Sequence, residues 1–460
     1  MSTATEAIRS ARDLLLQLRG QGDAARASFS WPRISGPFNW AIDWFDAIGR
    51  GRDDLALWIR DEHDRDERYS YADLVQRSDR LAGWLAAQGV GKGDAVMLML
   101  GNQIELWDAM LAVMKIGAVI LPTSQALQDF DLAGRIPRAG VRVVLANPVD
   151  EAKFDGVEGP VFLTTGPAHG RWLSVSEADD WPAEPRDVVT DASDPVLYYF
   201  TSGTTKDPKL VVHTQLSYPV GHLSTMYFLG VRPGDVHLNI SSPGWGKHAW
   251  SSFFSPWLAE ATVFSYTYQR FDAAALLREL EDARVTTLCA PPTVWRMMIQ
   301  AHLGEKPSAL REIVGAGEPL NPDVISTVER AWGLTIRDGY GQTETTCTVG
   351  NAPGEPVKPG AMGRLMPGVR VEIVDPDTGE VSRQGEITLP LEPWPYTLMS
   401  GYLGGAPTAQ ADGRYHSGDL VTVDDDGYLT YVGRTDDVFK ASDYKISPFE
   451  LESVLIEHPA

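Results

Sequence analysis

The segment Tyr198–His213 reads YYFTSGTTKDPKLVVH. Tyr198-Tyr199-Phe200 has the aromatic character of a strand end. Thr201-Ser202-Gly203-Thr204-Thr205 follows directly, with Lys206 and Lys209 close behind. Hydroxyls and free backbone N–H groups in such a turn can wrap phosphate oxygens, and lysine adds a point charge. Read alone, the segment fits a polar surface turn between two strands equally well. It is not a Walker loop, because no Gly-Lys-Ser/Thr follows at the required spacing.

On either side of it, helical patterns alternate with short apolar runs from about Ser70 to Asp338. Ser70 with Asp73 reads as a capping box, and Leu74, Ser78, Leu81 and Leu85 then form one face at helical spacing. Ala95–Leu100 follows as a buried strand, Ile104–Ile116 as a helix and Ala118–Leu121 as a strand. Val141–Ala146, Val196–Phe200, Val263–Tyr266, Val285–Ala290 and Thr335–Asp338 continue the series. Strands separated by helices imply parallel sheets with covered faces, so the class is α/β. After Gly360 the rhythm shortens: Val369–Val374, Glu386–Leu389, Leu420–Val423 and Tyr428–Tyr431 predict a small antiparallel sheet or barrel.

The 460 residues exceed what one hydrophobic core holds, so several packed units are expected. They divide into α/β subdomains over about 60–190 and 191–360 and a β subdomain over 361–433, with 434–460 beginning something further. A composition 43% hydrophobic and 22% charged is that of a soluble globular protein. The net charge of −22 disfavours nucleic acid and anionic membrane surfaces, so an anionic substrate must be held by local donors. Cys289 and Cys347 are too few for a disulfide framework or a zinc site, which fits a reducing, cytoplasmic setting. Glu6, Arg9, Arg12 and Asp13 break any signal-peptide core, and Met110–Leu121 contains Lys115 and is too short to span a bilayer.

Four segments occur in order: Tyr198–His213, Asp338–Thr345 (DGYGQTET), Tyr415–Leu420 (YHSGDL) and Gly433–Glu450 (GRTDDVFKASDYKISPFE). Together they resemble the core motifs of the adenylate-forming superfamily of acyl-CoA synthetases, amino-acid adenylation domains and luciferases, over nearly the whole chain. The resemblance implies a large N-terminal adenylate-forming domain over 1–433, a hinge after it, and a small C-terminal domain of which 434–460 is only the start. On this reading the chain alone binds ATP and acid but adenylates poorly, because the family's adenylation lysine lies beyond Ala460 and neither Lys440 nor Lys445 matches it.

The resemblance implies ATP, Mg²⁺ and coenzyme A as the small molecules handled, with Thr201, Lys209, Thr343 and Glu344 catalytic. Thr201, Ser202, Gly203, Thr204, Thr205 and Lys209 would hold the β- and γ-phosphates, Thr343 the α-phosphate, and Glu344 the magnesium ion, a hard cation suited to oxygen. Gly315, Ala316, Gly317, Glu318 and Pro319 resemble the adenine-packing segment, with Asp338, Gly339, Tyr340, Gly341 and Gln342 beside it. Asp419 and Arg434 would contact the ribose, and Asp436 matches the hinge. Each has a plainer reading as a turn residue, a helix start or a surface ion pair. Lys206 and Asp443 stand where the family more often has glycine, and Asp443 makes coenzyme A a less settled acceptor.

For the acid, Ser241–Trp250 (SSPGWGKHAW) offers no acidic residue to meet an ammonium group. Gly341 stands where acetate-selective relatives carry tryptophan, and this predicts an open tunnel. Pro243–Lys247 resembles the medium-chain acyl-CoA synthetases. The acyl pocket is therefore assigned to Trp245, Gly246, His248, Gly315, Tyr340 and Gly341, with Trp245 either a gate or a core aromatic and His248 either a carboxylate contact or a structural hydrogen bond. A medium-chain fatty acid is the leading substrate. An aryl acid, a carrier-protein thiol as acceptor, and a catalytically silent binding module are the alternatives.

Overall fold

A computed structural model describes residues 2–34, 36–201, 208–405 and 408–437, with the backbone of 439–441 and 444–446. The predicted phosphate-loop residues Ser202, Gly203, Thr204 and Thr205, with Lys206, and the linker position Asp443 lie outside the described residues.

Two large sheets carry the structure. In the eight-stranded one, Ala95–Met99 runs parallel to Val119–Pro122 and to Val141–Ala146, which continues through Val161–Thr164 to Trp172–Ser174. On the other side Val119–Pro122 is followed by Pro195–Thr201, Lys209–Thr214 and Gly401–Tyr402, the last two pairings antiparallel. The nine-stranded sheet has a parallel centre of Leu55–Asp61, Thr262–Thr267, Val236–Asn239, Thr287–Ala290, Glu312–Ala316 and Arg337–Tyr340. Antiparallel strands close both of its edges. Sheet membership does not divide at residue 190. The strands from 195 to 214 complete the first sheet, and the hairpin Leu55–Asp61/Asp66–Ser70 belongs to the second through its parallel pairing with Thr262–Thr267.

The third sheet is antiparallel, in the order Glu372–Val374, Gln384–Pro390, Arg414–Val423, Leu429–Arg434. Its outer strands are not joined to each other, so of the two alternatives it is an open sheet among the described residues.

Helix Tyr71–Ala87 begins with the predicted capping box: Ser70 Oγ accepts from Asp73 N at 3.0 Å and Asp73 Oδ2 from Ser70 N at 2.8 Å. Leu74, Ser78, Leu81 and Leu85 are all buried, as their spacing requires. Helix Ile104–Lys115 packs against it and is enclosed on nearly every side, which explains its almost unbroken apolar sequence. Asp108 and Lys115 are its buried charged residues. Lys115 is fully buried, and its ammonium donates to Asp79 Oδ1 at 2.7 Å and lies 2.8 Å from Asp46 Oδ1. Arg50 reaches the second oxygens of both acids at 3.0 Å. A buried charge persists only when paired in this way.

Candidate active site

A cavity of about 970 Å³ opens where the first and third sheets meet the Gln342–Thr346 turn. Thr201 and Lys209 face each other across the pair that flanks the phosphate-loop segment, and both line it. Gln342, Thr343 and Glu344 form its floor. Arg337–Tyr340 is an inner strand of the nine-stranded sheet, so the turn that follows emerges at the carboxyl edge of a parallel sheet, where α/β folds bind ligands.

That turn is pinned from several directions. The Thr343 carbonyl lies 2.7 Å from His213 Nε2, and the Glu344 carbonyl accepts from Met399 N at 2.8 Å. Gln342 N donates to Thr345 Oγ1 at 2.8 Å, and Thr346 N to the Thr397 carbonyl at 3.0 Å. His213 is buried, and burial pulls its pKa down to about 4, so it is neutral at pH 7. The short contact to a carbonyl assigns its proton to Nε2, and Nδ1, 3.2 Å from Ser217 Oγ, is then an acceptor.

The Glu344 carboxylate is half-buried, and desolvation raises its pKa. Tyr402 donates to Glu344 Oε1 at 2.9 Å, while the Lys209 ammonium sits 4.9 Å from the centre of the Tyr402 ring. Tyr402 thus links Glu344 to Lys209. Among the described residues no cluster of three His, Cys, Asp or Glu makes a ready-made metal cage. Magnesium needs none: one carboxylate plus substrate phosphates and water suits it, and an oriented Glu344 oxygen is such a donor.

A smaller adjoining cavity of about 190 Å³ is bounded by Gly317–Pro319, Asp338–Gln342, Asp419 and Tyr431. Asp419 stands opposite Arg434 in the register of the third sheet. Its Oδ2 accepts from Tyr340 Oη at 2.6 Å and Gln342 Nε2 at 2.5 Å, and its Oδ1 from Arg434 at 3.3 Å. Gln342 also donates to the Ser417 carbonyl at 2.8 Å and accepts from Tyr415 Oη at 2.8 Å. Two motifs far apart in sequence are therefore fastened to one another. Gly317 holds a φ of 106°, a conformation open to glycine that brings its backbone to the cavity wall. Asp338 is buried, and desolvation raises its pKa to about 8, so it is largely protonated at neutral pH. Asp436 is 3.3 Å from Arg434 and lines the larger cavity.

The predicted acyl residues fare unevenly. Trp245 is 65% exposed, which rules out the core-aromatic reading. Gly246 begins the short helix Gly246–Ala249, and a Cβ there would lie 3.8 Å from Thr343 Cα, so this segment borders the Gln342–Thr346 turn. His248 is buried and makes a 2.9 Å hydrogen bond to Asn102 Oδ1, with its pKa lowered by burial to about 3. That is the structural role of the two considered. Gly315 packs on Leu320. Gly341 corrects the tunnel expectation: a Cβ there would drive into the Thr346 carbonyl and the ring of Trp250, so the space beside it is filled, not open. Gly341→Ala is accordingly expected to destabilise the protein by about 1–3 kcal/mol, the usual cost of overpacking. An unchanged urea midpoint would refute that packing.

Sequence reasoning missed Tyr402, Tyr415 and His213. His213 closes the quoted phosphate-loop segment, and its position at the end of a buried strand was the available signal. Tyr402 follows a lone glycine and carries no local signal of its partner 58 positions away.

Residues 45–403 match the family model described as AMP-binding enzyme. The chain belongs to that family. It is 41% identical over 437 residues to 4-hydroxybutyrate–CoA ligase 1 of Metallosphaera sedula, covering 92% of this chain and 77% of that protein. It is 34% identical over 447 residues to the mitochondrial acyl-coenzyme A synthetase ACSM3 of Rattus norvegicus, with the same coverage. Its fold superposes with a TM-score of 0.84 on the crystal structure of Brucella canis acyl-CoA synthetase, at 28% identity and covering 95% of this chain and 84% of that one. This family member is an AMP-forming acid–thiol ligase that uses ATP, Mg²⁺ and coenzyme A. No helix among the described residues is long and apolar enough to cross a membrane.

Proposed function

We propose that the two adjoining cavities are the adenylation centre, with the residues acting as follows. The nucleoside lies in the smaller cavity, its adenine against Gly315–Pro319 and its ribose hydroxyls on Asp419. That carboxylate already accepts three protein hydrogen bonds, leaving capacity for about one more from its four lone-pair sites. Arg434 fixes it and neutralises it. The triphosphate extends into the larger cavity toward Thr201 and Lys209.

Thr343 meets the α-phosphate, where the acid carboxylate attacks phosphorus as pyrophosphate leaves. Both reactants are anionic, so positioning and charge neutralisation carry the step. Magnesium bound at Glu344 would supply part of that neutralisation. Tyr402 orients Glu344, and His213 holds the Thr343 carbonyl so that its hydroxyl stays aimed. The coenzyme A thiolate then attacks the acyl carbon and AMP leaves. Trp245, exposed at the start of Gly246–Ala249, acts as the gate over the acyl site, and Asp436 serves as the hinge. A cytoplasmic location fits an enzyme with these soluble substrates.

The observation that carries this reading is the convergence of Tyr340, Gln342, Asp419 and Arg434 in one hydrogen-bonded group beside Glu344. The test is acid-dependent ATP–pyrophosphate exchange by the full-length protein, followed by AMP release with and without free coenzyme A. Exchange with stimulation by coenzyme A is expected. Exchange that free coenzyme A leaves unstimulated would point to a carrier-protein thiol, and nucleotide binding without exchange to a silent module.

A further inference from the structure

We infer that His416, held as an imidazolium between two carboxylates, positions the turn that carries Asp419, so that nucleotide affinity falls as this histidine loses its proton. This rests on the reading of the two cavities as the adenylation centre.

Strand Arg414–Val423 bulges where it passes that centre. Glu386 pairs with Leu420 and Thr388 with His416, so only Ile387 stands opposite Ser417, Gly418 and Asp419. A bulge re-aims a side chain and takes its own backbone out of the ladder. The freed groups must then find other partners. The Ser417 carbonyl accepts from Gln342 Nε2 at 2.8 Å and from Arg434 Nη1 at 3.0 Å, and the Gly418 carbonyl from Thr435 N at 2.8 Å. Gly418 N, at a φ of 77°, donates to Glu386 Oε1 at 2.6 Å. The aim of Asp419 therefore depends on where the Glu386 carboxylate is held.

His416 holds it. Its Nδ1 lies 2.8 Å from Glu386 Oε2, and its Nε2 lies 3.1 Å from Asp412 Oδ2. Asp412 is kept ionised by Arg414, whose Nη1 donates to it at 3.1 Å and which also pairs with Glu372 at 2.7 Å. A neutral imidazole carries one N–H, so one of its nitrogens would turn a lone pair on a carboxylate. Only the imidazolium donates to both. Burial pulls the His416 pKa down, but the bonds to Glu386 and Asp412 outweigh it and the net shift is upward. The proton is thus kept through the ordinary histidine range and lost as pH rises above it. Among the described residues His416 is the one cation paired with Glu386, whereas Asp412 has Arg414 as well. Deprotonation leaves Glu386 a buried acid without a counter-charge, and the hold on Gly418 loosens with it.

The test is equilibrium binding of ATP and of AMP to the full-length protein from pH 6 to pH 9, with magnesium in excess. The wild-type Kd for ATP is expected to rise by about tenfold over that range, the scale of one charge-assisted hydrogen bond. AMP lacks the β- and γ-phosphates and should weaken by the same factor. His416→Gln should bind both nucleotides about tenfold more weakly than wild type at pH 6 and equally at pH 9. Comparing the two proteins at each pH cancels any titration they share, such as that of Asp338. His416→Lys stays cationic throughout and should keep tight binding at pH 9, and its ratio to wild type decides the matter if the Gln variant melts early. The inference is overturned if these ratios do not change with pH. It is also overturned if ATP weakens and AMP does not, which would make His416 a charge facing the phosphates. Failure of either nucleotide to bind at any pH would overturn the adenylation reading itself.

Discussion

Glu344→Gln is expected to lower kcat/KM for acid activation by about 10²- to 10³-fold, the scale of several kcal/mol that a metal ion supplies by neutralising charge as the α-phosphate is attacked. Glutamine keeps the shape and can still accept from Tyr402, so the turn held by His213, Met399 and Thr397 remains in place. What changes is the charge presented to the cation. The apparent affinity for magnesium, measured by titrating the metal at saturating ATP, should fall with the rate, and excess metal should recover part of it. Stability should not fall: burial raises the Glu344 pKa, so the folded protein already disfavours its charge. A variant that melts like the wild type yet turns over normally at low magnesium would remove Glu344 from the metal site. A variant that unfolds early would instead assign it a structural role.

The contrast between Glu344 and Tyr402 shows what the sequence could tell. The place of Glu344 was legible because it sits inside a compact motif, Asp338–Thr345, most of whose residues line the two cavities where they stand. Tyr402 enters the site only because Gly401–Tyr402 pairs antiparallel with Val211 and Val212, nearly two hundred positions earlier. No periodicity marks such a pairing. The same holds for the architecture. Helices Tyr71–Ala87 and Ile104–Lys115 and the strands Ala95–Met99, Val119–Pro122 and Val141–Ala146 followed from apolar spacing and a capping box, within a residue or two of the expected bounds, whereas helix Asp129–Ala139 was not read. The hairpin Leu55–Asp61/Asp66–Ser70 was not read, since its place depends on a parallel partner at Thr262–Thr267. The N-terminal helix Thr3–Gln17 was seen only as a charged stretch unfit for a leader, although Ile8 and Leu15 bury its apolar face. Gly341 failed for a different reason. A missing side chain predicts space only if no neighbour fills it, and Trp250 does so from another element, far earlier in the sequence.

Lys115→Met should have the largest effect on stability, about 3–5 kcal/mol, because it leaves two buried acids short of a counter-charge. Methionine fills much of the lysine volume, so the loss is electrostatic and not a cavity. Arg50 still contacts both acids but is itself partly exposed, and one cation replaces two. The effect carries a pH signature. Burial already raises the Asp46 pKa to about 6, with Lys115 pulling it back down. The folded state therefore binds a proton more tightly than the unfolded state, whose Asp titrates near 3.8. This contribution to stability is complete below the unfolded pKa and is lost as pH rises through the folded one. Without Lys115 the folded pKa climbs further, so the penalty must grow with pH. Urea denaturation at pH 5 and at pH 7.5 checks this: the gap between wild type and Lys115→Met should be wider at the higher pH. A gap that is constant, or that narrows, would mean the acids are not charged in the native state and that Lys115 is held chiefly by the Val75 carbonyl at 3.2 Å. Adding Asp79→Leu to the same background should then recover stability only in the first case, since replacing a stranded buried charge by an apolar group removes the desolvation cost it imposes.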